Sequence, residues 1–290
     1  MWAHRRGAGA PGTSCGEHPS CLDLTRAPIP VRTHPSPMIR SSPATPVLAS
    51  WSGGKDSSLA LRAVLADPTR AVSGLLTTVT AGYERISMHG VRVDLLEAQA
   101  GALGLPLTTA RIPPGASNEA YESAMRAALR PARRAGITEV VFGDLFLADV
   151  RAYRERLLAP VGMRGHYPLW GRDTGALAAE FIADGFRAVL VCVDPRQVPA
   201  ELCGRDFDRT LLADLPAGTD PCGENGEFHT FVYDGPIFRA PVVWRRGAVV
   251  ERDGFWFCDL AAGGDAREQR GASGEQSGSA AARPSPPATT

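Results

Sequence analysis

Between residues 47 and 193, apolar runs of strand length alternate with stretches of helical length, and this alternation favours a parallel sheet wrapped by helices over an antiparallel one. The spacing predicts strands at 47–51, 72–79, 107–112, 138–142 and 188–193. Helices are expected at 57–65, 92–103, 117–135, 148–158 and 174–183. Their punctuation agrees: Asp67-Pro68 ends the first, Gly104 stops the second after Val93, Leu96, Ala100 and Leu103, and Ser117 is placed to cap the third. The whole reads as a doubly wound α/β domain over 46–195. From Gly218 the grammar changes to Gly, Asp, Asn and aromatic residues, with short antiparallel strands expected at 242–244, 249–251 and 255–259 in a smaller α+β substrate region over 196–262. Residues 1–45 are rich in Pro, Gly, Arg and Ser without apolar periodicity, and 263–290 are low-complexity, so both are expected to be disordered tails. Met38 stands just before the first strand as a candidate native start.

Composition narrows the function classes. With 31 basic and 31 acidic residues the 290-residue chain has a formal net charge of +0, which lacks the footprint of a dedicated nucleic-acid binder. No apolar run approaches the roughly 20 residues of a membrane span. Six cysteines, Cys15, Cys21, Cys192, Cys203, Cys222 and Cys258, contain no CxxC pair, which argues against a zinc ribbon, an iron-sulfur cluster or a thioredoxin-like site and points to the cytoplasm. The expected partner is a small molecule, with a homodimer left open.

The segment Ser50-Trp51-Ser52-Gly53-Gly54-Lys55-Asp56-Ser57-Ser58 joins the first strand to the first helix. In an open α/β sheet, ligands sit beyond the carboxyl ends of the strands, where a Gly-rich turn into a helix offers unpaired N–H groups and the positive end of the helix dipole to a phosphate. Gly53 and Gly54 permit close approach, Ser52, Ser57 and Ser58 add hydroxyl donors, and Lys55 supplies a point charge. Of the 31 basic residues 30 are Arg, so the lone Lys stands where an ammonium rather than a guanidinium is needed. Neither the GxxxxGK[ST] phosphate loop nor the GxGxxG dinucleotide fingerprint is present.

Ser52-Gly53-Gly54-Lys55-Asp56-Ser57 after a first strand resembles the PP-loop of the ATP pyrophosphatase superfamily. The resemblance implies a Rossmann-like fold, cleavage of ATP to AMP and pyrophosphate, a loop that holds pyrophosphate with Mg2+, and backbone near Thr77 on the second strand that holds adenine. Three further segments, Phe142-Gly143-Asp144, Pro168-Leu169-Trp170 and the run from Asp220 to Thr230 (DPCGENGEFHT), make residues 47–260 resemble the diphthine-ammonia ligase family, and specifically its bacterial relatives. That family amidates diphthine on elongation factor 2, which implies an AMP-forming ligase using ATP, Mg2+, ammonia and an acceptor carboxylate. The diphthamide enzymes carry a segment closer to EGGEFE, so His229 stands where they have an acid.

Read from its residues, 222–230 is a polar loop whose Gly223 and Gly226 allow sharp turns that bring Glu224, Glu227 and His229 to the α-phosphate. Glu227 or His229 is expected to bind ammonium or deprotonate it, and Glu224 with Asn225 to position the acceptor, beside Cys222 and Thr230. Alternatively the acids of this turn cap backbone N–H groups. Gly143 and Asp144 follow the fourth strand at the sheet's mouth, where Asp144 joins Asp56 as a metal or nucleotide ligand. His89, after the second strand, is expected to face the same mouth and touch substrate unless it is a solvent-exposed loop residue, and Arg154 is expected to bind a carboxylate or phosphate, whereas Arg151 and Glu155, four apart on the same helix, are placed to pair on the surface. A covalent role for the Cys222 thiol, sulfur transfer to a nucleobase and a non-catalytic nucleotide sensor are the competing readings.

Overall fold

A computed structural model describes residues 43–263 apart from 83–84 and 87–89. The expected tails outside that range, with Cys15, Cys21 and Met38, and the expected site residue His89 lie outside the described residues. Strand β1 (Thr45–Ser50) leads into α1 (Lys55–Leu65), then come β2 (Arg70–Thr80), β3 (Arg85–Ile86), α2 (Val93–Leu103), β4 (Leu107–Ile112), α3 (Asn118–Arg134), β5 (Glu139–Val141), α4 (Ala148–Leu158), β6 (Arg164–His166) and α5 (Thr174–Ala183). Parallel pairing runs β4-β2-β1-β5-β6, and the two-residue β3 lies antiparallel to the end of β2. The chain leaves β1 for β2 on one side and returns to β5 on the other. The carboxyl ends of β1 and β5 therefore form the crevice where ligands bind such sheets.

Period-two burial explains how the sheet is sandwiched. On β1 Val47 and Ala49 join one core and Leu48 the other; on β2 Leu75 and Val79 oppose Leu76 in the same way. The first core packs α1 and α2, and the second packs Met125 and Leu129 of α3 with Leu157 and Leu158 of α4. Leu59 and Leu61 of α1 are almost wholly buried, each contributing about 1.5–3 kcal/mol of transfer free energy.

The chain continues through β7 (Arg187–Val193), α6 (Arg209–Asp214), β8 (Phe228–Asp234), β9 (Trp244–Arg252) and β10 (Phe255–Ala262). These four strands make a second, antiparallel sheet in the order β8-β7-β10-β9. Two expectations change here. The apolar run at 188–193 does not extend the parallel sheet, because a run buried on both faces announces burial but not which sheet provides it. The stretch read as a loop to Thr230 turns into strand β8 at Phe228, so His229 and Thr230 occupy strand positions with their neighbours fixed by pairing to β7. Among the described residues no helix is long and apolar enough to cross a membrane.

Candidate active site

The turn from β1 to α1 has no side chain capping the helix from its own N-cap, Gly54. The cap comes from the second sheet instead: Lys55 N–H donates to Thr230 Oγ1 at 3.1 Å. Gly53 adopts φ +77°, a left-handed conformation that glycine enters without penalty. The Ser57 and Ser58 hydroxyls turn back to donate to the Gly54 carbonyl at 2.8 and 3.0 Å, and Ser57 Oγ lies 3.2 Å from Ser52 Oγ. Ser58 is fully buried, so it shapes the loop from behind, whereas Ser52, Gly54 and Ser57 line a cavity of about 410 Å³. That volume lies within the range of small-molecule sites.

Lys55 is 2% exposed. Its ammonium touches both Asp56 carboxylate oxygens at 2.8 and 2.9 Å and donates to the Cys222 carbonyl. Burial opposes the charge, but the Asp56 carboxylate and its hydrogen bonds outweigh it and hold the pKa above the ordinary lysine value. The charged form of the ammonium is thus favoured where it lines the cavity.

From the carboxyl end of β5, Gly143 presses so closely on α1 that a Cβ there would lie 2.7 Å from the Asp56 backbone carbon. Asp144 next to it forms a bidentate pair with Arg154 of α4 at 2.6 and 2.9 Å, and the guanidinium stacks over Phe142 with 4.5 Å to the ring centre. Asp144, Arg154 and the Phe142 ring all reach the cavity.

The segment before β8 adds Glu224 and Asn225 to the cavity lining, and the start of β8 adds His229. Glu224 accepts a hydrogen bond from Leu145 N–H at 2.9 Å. Burial, reinforced by the Asp56 and Asp144 charges against the Leu145 N–H donor and the Lys55 charge, pushes its carboxyl up to about 7. Burial and the nearby Lys55 charge press His229 down to about 4, so its imidazole is neutral at physiological pH.

Several expected residues turn elsewhere. The Glu227 side chain faces inward, accepting from Asp220 N–H and from Asn225 Nδ2, each at 3.0 Å, and it does not line the cavity. Cys222 meets the site through its carbonyl; its thiol donates to Thr174 O at 3.3 Å and is pushed up to about 12 by burial. Thr77 is buried within β2, outside the lining. Conversely, Gln99 was not anticipated. It lies fully buried on α2, donates to the Gly53 carbonyl at 3.0 Å and accepts from Trp51 Nε1 at 2.9 Å. A signal existed: Gln99 follows Leu95 by four and Leu96 by three, an amide on the apolar stripe of the helix.

These residues suit a nucleotide phosphate: an ammonium, backbone N–H groups at a helix start and a glycine cradle converge on one cavity. Among the described residues no group of three or more His, Cys, Asp or Glu gathers as a dedicated metal cage. Mg2+ bound through phosphates needs only one or two protein carboxylates, and Asp56 and Asp144 offer that number.

Comparison with known proteins follows the same division as the two sheets. Residues 45–165 match the family model described as Diphthamide synthase N-terminal domain, and residues 173–263 match Diphthamide synthase C-terminal domain. Three relatives each bear the name diphthine–ammonia ligase. The Schizosaccharomyces pombe protein is 26% identical over 122 residues, 41% of this chain and 20% of that one. The Danio rerio protein is 31% identical over 103 residues, 33% of this chain and 40% of that one. The Rattus norvegicus protein is 24% identical over 218 residues, 68% of this chain and 82% of that one. The chain thus spans well under half of the yeast and fish relatives and about four-fifths of the rat one.

Proposed function

We propose, from the premise that this chain belongs to the diphthamide synthase family, that it is an ATP-dependent ligase which adenylates an acceptor carboxylate and amidates it with ammonia, releasing AMP and pyrophosphate. The observation that carries the reading is the confrontation, across one cavity, of the buried Lys55 ammonium with the Glu224 carboxyl held near neutrality. An anion-stabilising group and a proton acceptor are the two things the reaction asks of the protein.

The Lys55 ammonium and the Gly54 and Lys55 end of α1 stabilise charge that grows on the leaving pyrophosphate as the bond from the α-phosphorus breaks. They are preorganised by Asp56, Cys222 and Thr230, so little reorganisation accompanies the step. Mg2+, held by Asp56 and Asp144 together with phosphate oxygens, would neutralise further charge. Arg154, released from or shared with Asp144, binds an anionic group of the nucleotide or acceptor.

Glu224 takes the amine proton. A base near pH 7 is half ionised where ammonium must be converted to ammonia, which is the best compromise between availability and strength. His229 is too weak a base for that role and lines the acceptor wall as a neutral donor or acceptor. A neutral imidazole there leaves one negative charge fewer facing an incoming carboxylate than an acid would. Diphthine, which the relatives' names state, is therefore one acceptor among the carboxylates to be tested.

The test incubates the protein and Lys55→Ala with Mg-ATP, ammonium chloride and either a diphthine-bearing protein or a panel of small carboxylic acids. Expected is ammonium-dependent formation of AMP and pyrophosphate in equal amounts, reduced at least a hundredfold in the variant. ADP with phosphate overturns the adenylation chemistry, and tight ATP binding without turnover on any acceptor leaves a nucleotide sensor.

A further inference from the structure

The Gly53–Gly54 peptide is held from behind by an amide that the proposed chemistry never touches. Gln99, fully buried on α2, donates Nε2 to the Gly53 carbonyl at 3.0 Å and to the Val232 carbonyl of β8 at 2.6 Å. Its Oε1 accepts from Trp51 Nε1 at 2.9 Å. Because the indole nitrogen only donates, it dictates which end of the amide carries oxygen and leaves both N–H donors for the two carbonyls. Val232 N–H completes the arrangement by donating to the same Gly53 carbonyl at 2.9 Å.

A trans peptide is planar, with C=O and N–H pointing in opposite directions. Turning the Gly53 carbonyl toward Gln99 and Val232 therefore turns the Gly54 N–H the other way, to the side where Gly54 and Ser52 line the cavity. Among the described residues its contact there is a long one, 3.4 Å to Ser52 Oγ, which an anion displaces readily. Without the amide, the left-handed Gly53 has no side chain to resist rotation of this peptide, and a flip would present a carbonyl oxygen to the phosphate.

We propose that Gln99 is a positioning residue of the nucleotide site, locking the Gly53–Gly54 peptide so that the Gly54 N–H is presented to the leaving pyrophosphate. It rests on the nucleotide reading above and adds what sets the loop's donor geometry. It also explains why α2 and the second sheet meet at this loop: one side chain joins β1's exit, α2 and β8.

The experiment binds inorganic pyrophosphate and ATP, each with Mg2+, to the intact protein by calorimetry, and follows the Gly54 amide in 15N-glycine-labelled protein by NMR. The wild type is expected to bind both and to shift the Gly54 resonance on binding. Gln99→Leu is expected to lose about tenfold or more in affinity for each, the scale of one hydrogen bond to a charged group, and to lose the Gly54 shift. Gln99→Glu, which keeps the Trp51 contact but sets an oxygen against the two carbonyls, serves if the leucine variant does not fold, with the same expected loss at pH 8. Trp51→Phe removes the indole donor and part of a buried ring, while the Gly53 and Val232 carbonyls still select the N–H end of the amide, so it is expected to lower the melting temperature while keeping affinity within about twofold. A folded Gln99 variant with unchanged affinity and an unchanged Gly54 shift overturns the proposal, as does a Trp51→Phe loss equal to that of Gln99→Leu. A wild type that binds neither ATP nor pyrophosphate overturns the nucleotide reading itself, and this proposal with it.

Discussion

Replacing Glu224 by Gln isolates the cost of keeping a carboxylate in the cavity. The side chain is anchored by one bond, from Leu145 N–H at 2.9 Å, and a Gln carbonyl accepts that bond equally well. What disappears is a charge that burial, Asp56 and Asp144 disfavour strongly enough to move the carboxyl from 4.5 to about 7. Such a displacement corresponds to at most about 3 kcal/mol, and partial solvent access reduces the expected figure to about 1–3 kcal/mol. The sign follows from linkage. The folded protein holds this proton more tightly than the unfolded chain, so the stabilisation is complete below pH 4.5, declines as the pH rises to about 7 and is absent above it. Gln does not titrate. The stability of Glu224→Gln relative to the wild type should therefore increase by about 1–3 kcal/mol between pH 4.5 and pH 8. Urea unfolding of both proteins at the two pH values measures this, and ammonium-dependent turnover should rise with pH through about 7 in the wild type and be lost in the variant. A stability gap that stays constant over that range, or widens toward acid, refutes the reasoning that burial rather than specific bonding governs Glu224.

Gly143→Ala should displace the start of α1, because its Cβ would sit 2.7 Å from the Asp56 backbone, which cannot rotate aside. A loss of about 1–3 kcal/mol in thermal stability with weakened ATP binding is expected, and unchanged binding would show the contact to be loose. The Cys222 thiol, pushed up to about 12, should resist iodoacetamide at pH 8 in the native protein and react only after unfolding. Rapid labelling that abolishes turnover would return thiol transfer to consideration.

Much of the architecture is legible because it is periodic. Helices α4 and α5 occupy the very spans their spacing implies, and β1 and β2 carry the period-two alternation that splits their side chains between two cores. The loop from Ser52 to Ser58 is legible for a different reason, since glycine, lysine and serine at a strand-to-helix junction are informative wherever the rest of the chain goes. Strand β7 was visible as a strand but not as a member of the second sheet, because its apolar run is the same in either place. Glu224 and Glu227 lie three residues apart in the same polar segment, yet one faces the cavity and the other ties Asp220 and Asn225 together. Nothing in their spacing distinguishes them.

The class of fold, the position of the Gly-rich loop after β1 and the single ammonium in it are legible from residue order, since they depend on periodicity and on residue types that are near neighbours in the chain. Tertiary structure alone decided what each group can do. Thr230 caps Lys55 from 175 positions away, Leu145 holds Glu224 across 79, and Gln99 reaches Gly53 across 46 and Val232 across 133. Hydrogen-bond partners and local dielectric are properties of what the fold brings within about 3 Å, and it is those, not the order of residues, that set whether a carboxyl is a base, an imidazole is neutral or an N–H faces the ligand.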